Sequence, residues 1–199
     1  MSHPIKTFAL FAPLALALAG CSQGQQPAAP PPLEGAAIGG PFTLTGEDGQ
    51  AVSWSDFDGK YRTLYFGYTF CPDVCPVDVG RAMAGLKEFE TASPDRAAKV
   101  QPLFVSVDPE RDTPAVLREF TDQFHPRLIG MTGSKEQLDK VTTEFAAQYS
   151  LGEKNEEGGY LVNHTSITYL FGPDGEPIAI LPTDAGPDAV AAELEKWVR

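Results

Sequence analysis

The sequence predicts one α/β domain with a central mixed sheet flanked by helices. Three observations predict it. Segments of strand character alternate with segments whose apolar residues follow helical spacing. One segment, residues 100–107, is almost continuously apolar, as a central strand covered on both faces must be. No internal repeat competes with this order. With 199 residues, 42% hydrophobic and 21% charged, the chain has room for one such core and little more.

Taken in order, Phe42-Thr-Leu-Thr followed by Glu47-Asp-Gly-Gln reads as a short strand and turn, and Thr63-Leu-Tyr-Phe-Gly-Tyr as an aromatic-rich strand interior. From position 75 to about 90, Val79, Met83, Leu86 and Phe89 follow helical spacing, with Pro76 where a first turn tolerates proline. That spacing assigns Met83 to core packing rather than to metal ligation. After the 100–107 strand a helix is expected over 114–124, then a short strand at 128–131. Residues 135–149 carry Leu138, Val141 and Phe145 at helical spacing, and 152–159 form a polar loop. Residues 166–171, the turn Gly172-Pro-Asp-Gly, and 177–181 read as a β-hairpin, and 187–198 as a closing helix. This order matches thioredoxin-like folds.

Ahead of the domain, residues 7–19 form an apolar stretch too short to span a bilayer, which fits the core of a signal peptide. The stretch ends in Leu18-Ala19-Gly20-Cys21, which resembles the lipobox of bacterial lipoproteins. Residues 1–20 are then expected to be a signal peptide and Cys21 a lipidated N-terminus, with the Pro- and Gln-rich residues 21–37 a tether and 38–199 the folded domain. The implied location is an exported, membrane-anchored lipoprotein facing the periplasm or extracytoplasmic space. Lys and Arg number 15 against 27 Asp and Glu, and no segment gathers basic residues into a patch, so nucleic acid is not an expected partner.

Only two cysteines fall in the domain, Cys71 and Cys75, at the strand-to-helix junction. Unpaired N–H groups at a helix N-terminus favour the thiolate, the reactive and metal-binding form. The pair can share one metal ion or close a disulfide, since positions four apart on a helix lie about 5–6 Å apart. Two thiolates select a soft ion such as Cu(I), and one imidazole would complete a three-ligand site. His164 is the candidate: His3 falls in the expected leader, His125 precedes Pro126 at an expected helix end where it can be solvated, and His164 stands just before the 166–171 strand. A small structural disulfide is the competing reading, but so short a loop removes little chain entropy.

Three segments, Thr69-Phe-Cys-Pro-Asp-Val-Cys-Pro, Val105-Ser-Val-Asp-Pro-Glu-Arg-Asp-Thr-Pro and Tyr160-Leu-Val-Asn-His-Thr-Ser, followed by Tyr169-Leu, resemble the Sco/SenC family over essentially the whole domain. The resemblance implies a thioredoxin-like fold and a copper site, for Cu(I) and Cu(II), on Cys71, Cys75 and His164. It implies a role in building the dinuclear copper centre of cytochrome c oxidase, with the copper-bearing oxidase subunit and a copper donor protein as partners. One departure is visible: Asn163 stands where many members carry Asp, with weaker electrostatic support for the imidazole expected there. Asp73, Asp108 and Asp112 are candidate supporting or partner-docking groups, and Asp112 is also a candidate helix N-cap before Thr113-Pro114.

A thiol-disulfide oxidoreductase, with Cys71 and Cys75 as the redox pair keeping the target's cysteines reduced, is the enzymatic alternative. The CxxxC spacing, and the lack of a proline between Tyr160 and Leu170 where thioredoxins place a cis-proline, weigh against it. A thiol peroxidase would need Thr or Ser three residues before the reactive cysteine, and the residue three before Cys75 is Pro72.

Overall fold

The computed structural model describes residues 29–199. The expected leader, the Cys21 anchor and the start of the tether lie outside the described residues. No helix among the described residues is long and apolar enough to cross a membrane.

The sheet has seven strands: β1 (Thr43–Gly46), β2 (Ala51–Ser53), β3 (Tyr61–Gly67), β4 (Val100–Ser106), β5 (Ile129–Thr132), β8 (Thr168–Phe171) and β9 (Pro177–Leu181), in the order β2-β1-β5-β4-β3-β8-β9. β3 and β4 are parallel at the centre and buried along their whole length, which is why β4 reads as a near-continuous apolar run and β3 as an aromatic-rich one. β5 joins parallel to β4, while β1, β8 and β9 pair antiparallel to their neighbours, so the sheet is mixed as expected.

Helix α1 (Val74–Ala92) follows β3 and buries Val79, Met83, Leu86 and Phe89, the stripe the spacing predicts. It packs closely on the closing helix α5 (Pro187–Trp197). A Cβ at Gly85 would lie 2.6 Å from Val190 Cβ, so only glycine permits this approach. α1 ends at the short helix α2 (Pro94–Ala97), which starts on a proline, while α3 (Pro114–Asp122) leads from β4 back to β5.

Two boundaries differ from expectation. Helix α4 stops at Glu144 (Lys135–Glu144) rather than running to 149, because Ala146 takes a left-handed φ of 50° and Ala147 N–H turns back to Thr142 O at 2.8 Å. The chain released there forms β6 (Tyr149–Leu151), which pairs antiparallel with β7 (Val162–His164) in a separate two-stranded sheet. Packing also starts ahead of position 38: Leu33 N–H bonds Ile178 O at 3.0 Å, and Leu33 and Ile38 both rest on the core.

His125 is buried rather than solvated. Its Nε2 lies 3.2 Å from Glu90 of α1, and its Nδ1 accepts Arg127 N–H at 3.1 Å. The local signal of a histidine before proline at a helix end could not show that α1 runs alongside.

Candidate metal centre

Cys71 and Cys75 reach the site by one continuous path. β3 leaves the sheet at Gly67, whose carbonyl accepts Val107 N–H at 2.8 Å; the chain turns through Tyr68 and Thr69, then enters α1. Cys75 lies in the first turn of α1, but Cys71 lies three residues ahead of the helix, so the pair is not the stacked helical pair that spacing alone suggests. Its contact is different: Cys71 Sγ accepts Cys75 N–H at 3.4 Å. Gly67 is required by this turn. A Cβ there would stand 2.8 Å from Tyr65 Cε1 and 3.1 Å from both Cys75 Sγ and Phe104 Cε2.

His164 arrives from elsewhere, at the end of β7 in the small hairpin, and its Nε2 lies 3.0 Å from Cys75 Sγ. The donor atoms of Cys71, Cys75 and His164 all lie within 4.8 Å of one another. Nδ1 lies 3.3 Å from Thr165 O, which can only accept, so this contact favours the tautomer with the proton on Nδ1 and Nε2 turned to the cysteine side. Tyr65 and Tyr68 stand edge-on to the imidazole, each with centroids 5.9 Å away, and fix its plane.

The two sulfurs differ in acidity. Burial pushes the Cys71 thiol up, but the backbone N–H groups of Asp73 and Cys75 and hydrogen bonds from the Cys75 thiol and Tyr68 outweigh it, so Cys71 lies below the ordinary cysteine range. Cys75 is fully buried, and burial together with the adjacent Cys71 sulfur pushes its thiol well up. Burial also holds His164 below the usual imidazole range, only partly offset by the Thr165 carbonyl and Asp78. The cluster therefore presents two sulfurs of unequal acidity beside an imidazole shifted toward its neutral form.

Two neighbouring residues after β4 support the site from beneath. Asp112 is fully buried and accepts Thr69 N–H at 2.9 Å, Thr69 Oγ1 at 2.6 Å and Ser106 Oγ at 2.5 Å. Burial pushes its carboxyl up, against the pull of these donors. It is not the helix cap the local sequence suggests, because Thr113 caps α3, its Oγ1 accepting Val116 N–H at 3.4 Å. Arg111 pairs with Asp108, donates to Tyr160 O at 2.9 Å, and stacks on the Tyr160 ring at 3.8 Å. Asp108 is also buried and accepts the Tyr160 hydroxyl at 2.7 Å; burial and this bond push that hydroxyl up to about 12.

The other candidates stand apart. Asp73 is exposed and its carboxylate caps nothing. Asn163 is exposed and donates to Ser150 Oγ at 3.4 Å across the small hairpin. Successive strand residues face opposite ways, so the residue beside His164 in sequence points away from it. Sequence reasoning left out Tyr65, Gly67, Tyr68, Thr69, Arg111 and Tyr160. All but Tyr65 and the pair Gly67 and Tyr68 lie in the quoted motif segments, but nothing in those segments tells which side chain reaches which neighbour.

With this geometry in place, the comparisons with known proteins decide the family. Residues 30–199 match the family model described as SCO1/SenC. The chain belongs to the SCO1/SenC family. It is 42% identical to Protein SenC of Rhodobacter capsulatus over 156 residues, covering 78% of this chain and 68% of that protein. It spans about half the length of the mitochondrial relatives it matches, 53% for the human protein SCO1 homolog. Among solved structures it resembles Arabidopsis thaliana ScoI with copper bound, at TM-score 0.74 and 36% identity over 80% of this chain and 98% of that one. Bradyrhizobium japonicum ScoI with copper bound matches at 0.73 and 37%, over 81% and 99%. A thioredoxin domain of a Bacteroides vulgatus thiol-disulfide oxidoreductase aligns at TM-score 0.56 with 18% identity, a likeness of fold alone, and the thioredoxin-like expectation holds.

Proposed function

We propose that this SCO1/SenC chain is a copper metallochaperone that holds one copper ion on Cys71, Cys75 and His164 and helps assemble the dinuclear copper centre of a cytochrome c oxidase. The observation that carries the reading is the convergence of two sulfurs and one imidazole nitrogen within 4.8 Å. Two sulfurs bound to one ion at roughly 2.3 Å lie at most about 4.6 Å apart, a separation of the same order as this cluster's, so one ion can be shared. The donor set is soft, two sulfurs with one imidazole nitrogen, which suits Cu(I) and keeps a nitrogen donor for Cu(II). The relatives solved with copper bound support the choice of metal. Bound copper is cargo here, received from a donor protein and passed to the copper-bearing oxidase subunit.

The same reading takes residues 1–20 as a signal peptide, Cys21 as the lipid anchor and the Pro- and Gln-rich stretch up to 37 as the tether that lets the 38–199 domain work at the outer face of the membrane. The test is copper stoichiometry on the reduced protein: one ion per chain is expected. A reduced wild-type protein that binds no copper would sink the reading.

A second activity is favoured by the unequal sulfurs. Cys71, partly exposed and the more acidic, suits attack on a disulfide, and buried Cys75 suits resolution of the mixed disulfide. In that exchange the target disulfide gains two electrons as the Cys71–Cys75 disulfide forms. Reduction of a disulfide-bonded target peptide, lost in Cys71→Ala, tests it.

A further inference from the structure

We propose that Arg111 and Asp112 form a clamp in which each side chain positions one of the two arms that carry the donors: Asp112 the cysteine arm and Arg111 the histidine arm. The inference stands on geometry in the metal-free protein, and only its copper measurement rests on the function proposed above.

Three donors converge on Asp112, and two of them come from Thr69, two residues ahead of Cys71. The third, Ser106, ends β4. The carboxylate thus ties the loop carrying Cys71 to the last residue of the central strand. Within the loop, Cys71 N–H reaches Tyr68 O at 3.3 Å and Cys71 Sγ accepts Cys75 N–H at 3.4 Å, but among these bonds only those of Asp112 tie it to β4. A buried acceptor with this many donors costs most when it is removed, because the donors are left unsatisfied.

Arg111 works in the other direction. The histidine hairpin pairs with no strand of the main sheet, so its position depends on side-chain contacts. The Arg111 guanidinium donates to Tyr160 O, four residues ahead of His164, and lies 3.8 Å from the Tyr160 ring. It also lies 5.5 Å from the Tyr68 ring and 5.1 Å from the Phe70 ring, both on the cysteine arm. The close contacts are both to Tyr160 on the histidine arm, and a lysine, with neither plane nor fork, cannot hold that carbonyl and ring together.

The test is hydrogen–deuterium exchange on the reduced, metal-free full chain, comparing residues 68–72 with 160–165 and using β3 and β4 as the internal control. Asp112→Ala is expected to speed exchange at 68–72 at least about 10-fold and at 160–165 less than about 3-fold, and Arg111→Ala to speed 160–165 at least about 10-fold and 68–72, which it only flanks, by a clearly smaller factor. Arg111→Lys should behave as Arg111→Ala, whereas Asp112→Asn, which keeps an acceptor for Thr69 N–H, should stay within about 3-fold of wild type. If Asp112→Ala does not fold, Thr69→Val, which removes only the hydroxyl donor, carries that arm with the same selectivity. Both arms speeding equally in each variant, the core strands speeding as much as either arm, or no change in either arm would overturn the clamp.

Copper binding supplies the independent readout. Asp112→Ala should weaken Cu(I) at least about 10-fold, while Arg111→Ala should leave Cu(I) within about 3-fold and weaken Cu(II) at least about 10-fold. Equal loss of both ions in both variants also overturns the clamp. A wild-type chain without copper affinity overturns the copper reading and leaves the exchange result to judge the clamp.

Discussion

The arm that carries the cysteines and the arm that carries the histidine meet at one point but are built differently. The cysteine arm continues the central sheet: β3 is buried from end to end, and Cys75 sits in the first turn of a helix whose inner face is core. The histidine arm is a two-stranded hairpin outside that sheet, with Leu161 58% exposed and Asn163 facing solvent. One arm inherits its position from main-chain ladders and core packing, the other from side-chain contacts around Tyr160. The difference teaches that the sulfur pair is the rigid part of the cluster and the imidazole the adjustable part.

That contrast can be broken or sharpened by experiment. The largest effect is expected at the rigid arm, where Cys71→Ala or Cys75→Ala should abolish copper binding as measured by stoichiometry after desalting. Gly67→Ala comes next. Its methyl would press on Tyr65, Phe104 and Cys75 Sγ, so thermal unfolding should show a loss of about 1–3 kcal/mol together with weakened copper binding. Unchanged stability and affinity would show that the turn yields more easily than its buried surroundings imply.

At the adjustable arm, His164→Ala should keep Cu(I) on the two sulfurs but lower affinity at least about 10-fold and remove the wild-type Cu(II) absorbance. A variant with wild-type spectra and affinity would remove the histidine from the site. Smaller again is an acid effect at His125, buried against Glu90 near the end of α1. Burial holds His125 below the usual imidazole range despite Glu90, so below about pH 6.5 the unfolded chain binds more protons than the folded one. Its contribution is full above that pH and is lost as pH falls through it. His125→Gln should flatten the decline in stability as pH falls from about 7 to 5, read from denaturant midpoints. The smallest effect belongs to Asn163→Asp, which should leave copper affinity within about 3-fold because the side chain faces Ser150. A larger change would mean that the hairpin twists to bring position 163 toward the metal.

Much of this was legible in the chain itself, for reasons that separate particular residues. Cys71 and Cys75 could be assigned because their junction is local: an aromatic strand, a short turn and a helix with an apolar stripe are all written within about 30 positions. Met83 likewise followed from spacing, and it is buried in α1. His164 was reached through family resemblance, since the β6–β7 hairpin that delivers it had no strand signal of its own. Asn163 drew attention as its neighbour, but pleating sends adjacent residues to opposite faces. Asp112 read as a helix cap by a sound local rule, but Thr113 took that place and Asp112 reached back 43 positions to Thr69.

By itself, then, the sequence determined the α/β order, the buried central strands, the sulfur pair at a helix start and the family, because each is encoded in residues close together along the chain. Only the tertiary structure decided that α4 ends early to free a pairing strand, that His125 is buried against Glu90, and that Asp112 reaches Thr69 while Arg111 reaches Tyr160. Those are contacts between residues tens of positions apart, where the direction of a side chain depends on packing that no local pattern records.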